Sequence, residues 1–236
     1  MPYLALLEAD LTQMVKSWTV RIWLVLTALF ALLTLPDTLS GGSPASEQLG
    51  GLLATYPLVW STFAIIVSGG AISSEAGLVA DSILSKSVTR YEYVLAKLTS
   101  RLVTVLGVYL LVVLPWALIV LRQAQGDLAW QGVFWAVMLI GMTLFLLTSL
   151  SVALSALFNR TLVAIVVVWF LWYAASGIFA VLEVEYLSPG HIIEKLPATL
   201  QGDYALADQV GILLGLGLLS GVFVALAVGY FNEKDV

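Results

Sequence analysis

The chain has 236 residues, of which 61% are hydrophobic and only 11% are charged, and its formal net charge is −5. An ordinary soluble domain carries about 25% charged residues, so this composition excludes a soluble globular protein and indicates an integral membrane protein. The chain has no cysteine and a single histidine, which excludes disulfides and thiolate chemistry and leaves no metal site to be expected.

Six stretches free of Asp, Glu, Lys and Arg predict six membrane-spanning helices. A helical span needs about 20 apolar residues. Five stretches reach that length, and Arg21 can extend the first by reaching the interface. Runs such as VAIVVVWFLW do not alternate polar and apolar residues, which argues against a β-barrel. We therefore predict an all-α, polytopic fold with one transmembrane domain over 1–236 and spans at 17–36, 51–73, 99–121, 132–157, 161–182 and 210–231.

The segment 1–16 predicts an amphipathic helix that precedes the first span. Apolar side chains recur at three- and four-residue steps from Leu4 to Trp18, and Glu8, Thr12 and Lys16 fall between them. A helix with this pattern lies flat in the membrane interface.

The distribution of basic residues predicts that both termini are cytoplasmic. Lysine and arginine favour the cytoplasmic side of a membrane. With the N-terminus inside, only Arg122 and Lys195 lie outside. The chain is therefore predicted to be a multi-pass protein of the cytoplasmic membrane. The inner basic residues are Lys16, Arg21, Lys86, Arg90, Lys97, Arg101, Arg160 and Lys234.

Two connections are long enough to form structure of their own. The inner connection, 74–98, has a helical pattern of apolar residues. The outer connection, 183–209, contains Pro189, Gly190 and Pro197, and its mixed polarity argues against a seventh span. We predict an inner amphipathic helix in the first connection and short re-entrant-type helices in the second.

The sequence lacks the residues that several kinds of chemistry require. No ionisable residue lies near the centre of a predicted span, which disfavours an ion-coupled carrier. A carrier with ion sites at unwound helices remains open. The motifs HExxH, GxSxG and GxxxxGK[ST] do not occur, so we expect neither enzyme activity nor an ATP site in this chain. Nucleic acid is not an expected partner.

The inner connection carries a motif that resembles a known family. The sequence reads Glu75-x-Gly77, then Leu84-Ser85-x-Ser87-Val88-Thr89-Arg90, then Ala96-Lys97. This is similar to the pattern E-x-G-T, L-L-S-x-P-x-S-R and Gly-Lys of permeases of the type-2 ABC exporters. It departs from that pattern at Leu78, Ser87, Thr89 and Ala96. The end of the chain, Phe231-x-x-Lys234-Asp235, also resembles the tails of these permeases.

The resemblance implies a function and a set of partners. In that family the inner connection is a coupling helix that docks on an ATPase. It implies separate cytoplasmic ATPase subunits that hold ATP and magnesium, a second permease chain that is identical or related, and the lipid bilayer as surroundings. No cofactor is expected in this chain itself. The candidate docking residues are Glu75, Gly77, Leu84, Ser85, Ser87, Arg90 and Lys97.

We therefore expect a permease subunit of an ATP-driven exporter, which moves a lipid-like, drug-like or amphipathic substrate out through a dimer interface. One alternative is a membrane subunit of an ABC-type complex that transports nothing and passes ATP-driven motion to a partner. A secondary carrier is the other alternative.

Overall fold

The computed structural model describes residues 2–39, 44–75, 89–123 and 127–233. The apolar runs of the sequence within these residues form helices. These residues contain no strand. The helices are α1 (Pro2–Lys16), α2 (Trp18–Leu39), α3 (Ala45–Thr55), α4 (Ser61–Gly69), α5 (Arg90–Gln123), α6 (Trp130–Leu157), α7 (Thr161–Val181), α8 (Pro189–Gln201) and α9 (Leu206–Glu233). A π-helical turn (Tyr56–Trp60) joins α3 to α4, and 3-10 turns lie at Ser73–Glu75 and Glu185–Leu187.

Six helical segments within the described residues are long and apolar enough to cross a membrane. They are Trp18–Asp37, Ala45–Glu75, Arg90–Arg122, Trp130–Leu157, Thr161–Val181 and Leu206–Phe231. The predicted all-α class and the six potential spans are thus confirmed, and the chain has the build of a multi-pass membrane protein.

Two of these helical segments begin before the predicted spans that they contain. The second begins at Ala45 rather than at 51, and the third begins at Arg90 rather than at 99. A helix can continue beyond the apolar run that crosses the membrane. In the structure, Lys97 and Arg101 are paired with carboxylates, so the helix continues through them.

Helix α6 forms the centre of the bundle. In its most apolar part 61% of the residues are buried, against 22% in the corresponding parts of α2, α7 and α9. Small and hydroxyl-bearing residues of α6, including Ala136, Ser151 and Ala156, are almost fully buried and let neighbouring helices approach closely. The surfaces of α2, α7 and α9 carry many exposed leucines, valines and aromatic residues, as lipid-facing helices do.

Short helical elements precede the last span. Ser188 caps α8 by accepting a hydrogen bond from the His191 backbone N–H, and Gly202 ends the helix in the left-handed conformation at φ 89°. Helix α8 buries Ile192, Leu196 and Leu200 against α3 and α6. It therefore covers the end of the bundle opposite to α1.

Candidate functional site

A cluster of charged side chains is buried where α1 meets the start of α5. We call this end of the bundle the inner end, and the opposite end the outer end. Lys97 Nζ lies 2.8 Å from Asp10 Oδ1 and 2.5 Å from Glu75 Oε1. Arg101 Nη1 lies 3.0 Å from Asp10 Oδ2, to which Ser100 Oγ also donates a hydrogen bond. Together with Tyr93, whose hydroxyl donates to Glu75 at 2.6 Å, these residues form the inner cluster.

The charges of the inner cluster cancel. Asp10, Lys97 and Arg101 are each at least nine-tenths buried, and Glu75 is half-buried. Two carboxylates face two cations, so the cluster carries no net charge, which is the condition under which ionised groups tolerate burial. A half-open cleft between α1 and α5, of about 170 Å³, reaches the cluster beside Gln13 and Tyr93.

Tyr93 connects the inner cluster to the end of the last helix. Its ring stacks on Phe231 at a centroid distance of 5.6 Å, and both side chains are buried. Lys97 Nζ lies 5.7 Å from the centre of the same ring. One turn earlier, Arg90 Nη1 lies 3.4 Å from the Phe231 carbonyl oxygen, to which it donates. The first turns of α5 are thus fixed to α9 as well as to α1.

The second span ends by unwinding against α6. After Gly69 the helix gives way to a turn, and the backbone N–H groups of Ile72 and Ser73 both donate to Ser155 Oγ at 3.0 Å. Ser73 Oγ also lies 3.0 Å from Thr161 Oγ1. The Ser155 hydroxyl thus satisfies two backbone N–H groups that the broken helix leaves unpaired.

The structure brings together two of the predicted site residues. Glu75 and Lys97 contact each other, whereas Arg90 lies about two turns earlier on α5, where it contacts the Phe231 carbonyl. Both cluster residues thus face an intramolecular partner, and Lys97 is buried. The other predicted docking residues, Gly77, Leu84, Ser85 and Ser87, lie outside the described residues, as does the predicted inner helix.

Sequence reasoning misses four members of the inner cluster: Asp10, Tyr93, Ser100 and Arg101. A signal for Asp10 was present, because this acid lies at helical spacing from Leu6, Leu7 and Met14, on a mostly apolar face. In the sequence, Arg101 indicates only the topology. Its burial beside Asp10 could not be read from the sequence because the two residues are far apart along the chain.

A second polar contact, at the outer end, joins three segments of the chain. Asp127 accepts hydrogen bonds from the Ser46 backbone N–H at 3.1 Å, from Ser46 Oγ and from Gln201 Nε2 at 2.8 Å. Ser46 lies at the start of α3 and Gln201 at the end of α8. We call Ser46, Asp127 and Gln201 the outer latch, because they hold α8 against the outer end of the bundle.

The outer latch predicts a defined response to acid. Partial burial raises the pKa of Asp127, but the hydrogen bonds from Ser46 and Gln201 outweigh it and hold the pKa below the ordinary value of 3.8. A carboxylate with a lowered pKa stabilises the fold above its ordinary pKa, and this contribution disappears as the pH falls through the folded-state value. Asp127→Ala should therefore lower the thermal unfolding midpoint by the same amount from pH 8 to about pH 5 and by less below about pH 4.

The matched control for this test is Asp203→Ala, an exposed outer acid that follows α8. It should leave the midpoint unchanged across the same pH range. A constant difference between Asp127→Ala and the parent protein down to pH 2 would contradict the assignment.

The π-helical turn in the second span is held by α7. Pro57 lacks a backbone N–H, so the helix around it cannot keep its regular hydrogen bonds. Trp172 Nε1 donates to the Pro57 carbonyl at 2.9 Å, and Tyr173 OH donates to the Leu58 carbonyl at 2.6 Å. Trp172 is buried, whereas Trp169 and Tyr173 are 48% and 43% exposed and form an aromatic pair with polar atoms on the outside of the bundle.

No protein-family model matches the chain, and no curated protein matches it either.

Proposed function

We propose that the chain is the permease subunit of an ATP-driven exporter of the type-2 ABC class. It works as a pair with an identical or related permease, and separate cytoplasmic ATPase subunits hold the ATP and magnesium. Its substrate is lipid-like, drug-like or amphipathic, because the middle of the six helices offers no charge to a polar solute. Both termini lie in the cytoplasm, following the distribution of lysine and arginine.

The observation that supports this proposal is a contact between the two ends of the inner connection, which we call its base. Glu75 ends the described part of the second span, and Lys97 lies in the second turn of α5. Their contact at 2.5 Å closes the connection between them. A segment closed at its base moves with the spans that carry it, so a partner bound there can tilt those spans. The motif Glu75-x-Gly77 to Arg90 lies in this same connection and supports the ATPase as the partner.

The surroundings of α1 support its interfacial placement in the proposed complex. Asp10 and Met14 are buried against the bundle. Roughly a quarter-turn away around the helix, Leu4, Val15 and the following Trp18 form an exposed apolar stripe. Glu8 lies on the same exposed face as Leu4 and Val15, and Lys16 lies at the edge of that face. A helix with one face on protein and an exposed face that combines apolar and charged side chains suits the boundary between headgroups and acyl chains. At the outer end, α8 is the proposed re-entrant element, and it covers the exit.

Purification and reconstitution test the proposal directly. The full chain, purified from its native membrane, should carry stoichiometric ATPase subunits that hydrolyse Mg-ATP. In liposomes the complex should move a fluorescent phospholipid or an amphipathic dye only when ATP is supplied. Absence of any ATPase subunit would overturn the proposal. ATP hydrolysis without movement of any substrate would favour the non-transporting membrane subunit instead.

Arg90→Glu is expected to weaken this coupling. Removing one partner of a buried, hydrogen-bonded charge pair at a docking surface costs about 2–5 kcal/mol of binding. The loss of the Arg90 contact with the Phe231 carbonyl costs the fold less, about 0.3–1 kcal/mol for a charge at a helix C-terminus. The variant should therefore insert and fold, but it should bind the ATPase more weakly and stimulate less ATP turnover.

Lys195→Glu provides the matched control, because it reverses an exposed charge on α8 at the outer end. It should bind and stimulate the ATPase as the parent protein does. If Arg90→Glu keeps full assembly and full turnover, the role of Arg90 is limited to topology and to its contact with α9.

A further inference from the structure

The inner cluster contains one member that neither the inner connection nor its flanking turns supply. Glu75, Tyr93 and Lys97 lie near the two ends of the inner connection, and Ser100 and Arg101 follow it on α5. Asp10 comes from α1, which is far away in sequence. The Asp10 carboxylate is nonetheless central, because one oxygen contacts Lys97 and the other contacts Arg101 and Ser100.

Lys97 is the bridge between Asp10 and Glu75. Its ammonium lies 2.8 Å from Asp10 and 2.5 Å from Glu75, so both carboxylates contact the same cation. A lysine side chain has several rotatable bonds and takes its position from the groups that bind its ammonium. With Asp10 present, Lys97 is held between α1 and the end of the second span. Without an acceptor on α1, only Glu75 would hold it.

One face of helix α1 contacts α5, and another face is exposed. It is joined to α2 through Ser17 alone, and its exposed stripe runs from Leu4 to Trp18 at the start of the first span. Tyr3 OH donates to Thr99 Oγ1 at 3.0 Å, which adds a second contact with the same part of α5. The helix is therefore attached to α5 on one face and open on another.

We propose that Asp10 is a positioning residue that acts through Lys97. It fixes Glu75, and with it the base of the inner connection, relative to α1. This inference rests on the proposed function in one respect: the connection it positions is the one proposed to meet the ATPase. Asp10 itself contacts no partner, since it is buried within the chain. The position of α1 then sets the position from which the connection engages the ATPase.

The test separates the acceptor role of Asp10 from its charge. Two double variants, Asp10→Asn/Arg101→Met and Asp10→Leu/Arg101→Met, both leave a neutral cluster of Lys97 and Glu75. They differ in that asparagine can still accept a hydrogen bond from Lys97 and leucine cannot. Neutrality protects both from the cost of an unpaired buried charge. Glu8→Gln, which alters an exposed carboxylate of α1, is the single-site control.

Hydrogen exchange of the full chain in lipid nanodiscs, read by mass spectrometry, gives the outcome. The leucine double variant should exchange severalfold faster than the parent at residues 2–16 and 70–75, with no change at 188–201. The asparagine double variant and Glu8→Gln should stay close to the parent. Equal behaviour of the two double variants, at any level, would overturn the inference, and so would faster exchange that extends to 188–201 in the leucine variant.

The ATPase measurement is a separate arm of the same experiment. In the assembled complex the leucine double variant should lose permease-stimulated ATP turnover severalfold, while the asparagine variant keeps most of it. Full turnover in both variants would overturn the coupling part of the inference. If the parent chain binds no ATPase, the proposed function fails, and the exchange result still decides whether Asp10 positions the base of the connection.

Discussion

Lys97→Met is expected to destabilise the fold by about 3–5 kcal/mol, which is the cost of removing one partner from a buried ion pair. The variant leaves Asp10 and Glu75 facing each other around an apolar side chain, with Arg101 alone to balance them. Methionine matches the length of the lysine stem, so the loss of packing is small. Unfolding of the detergent-solubilised chain, followed by tryptophan fluorescence in a denaturant titration, measures the effect.

A second substitution should reverse most of this loss. Glu75→Gln/Lys97→Met removes one charge of each sign and leaves the pair of Asp10 and Arg101, whose atoms lie 3.0 Å apart. Replacing a complete buried pair is often neutral for stability, so the double variant should be clearly more stable than Lys97→Met alone. Lys16→Met, at an exposed position on α1, should change little. If Lys97→Met unfolds as the parent does, the inner cluster does not stabilise the fold.

The architecture was readable from the sequence because membrane spans obey a simple rule. Helices that cross a bilayer need long apolar runs, and the six runs of this chain reappear as six long helices among the described residues. The helix that contains the third run begins before the predicted span. A count of charges places that span after Lys97, whereas the helix runs through Lys97, whose ammonium is paired with the buried Asp10 carboxylate.

The candidate site was less predictable, because its members meet only in the folded chain. A local motif in the sequence contains Glu75, Arg90 and Lys97; in the structure Glu75 contacts Lys97, and Arg90 contacts the end of α9 instead. Asp10 joins them from a separate helix, and no local pattern states which charge an acid on α1 will pair with. The same holds for the outer latch, where Asp127 unites residues from three segments.

Gly132→Ala is also expected to destabilise the fold. Gly132 lies in the first turn of α6, where the end of α8 packs against it. A Cβ atom at this position would lie 2.2 Å from the Thr199 carbonyl oxygen and 2.7 Å from the Leu200 carbonyl oxygen. Both obstacles are backbone atoms, which cannot rotate away as a side chain could, so α8 would have to move. Overpacking of this kind costs roughly 1–3 kcal/mol.

The displacement of α8 should be confined to the outer end, because the other contacts of α8 that it weakens also lie there. The Ala129 backbone N–H donates to the Leu200 carbonyl at 2.8 Å, and Gln201 belongs to the outer latch. Moving α8 away from Gly132 weakens both contacts. Gly132→Ala should therefore lower the free energy of unfolding and speed hydrogen exchange at 188–201, while residues 2–16 at the inner end exchange as before. Gly141→Ala, on the same helix, is the control, because its Cβ would meet only the Tyr109 ring at an ordinary 3.8 Å. Equal stability of the two alanine variants would mean that α8 does not press on α6 at Gly132.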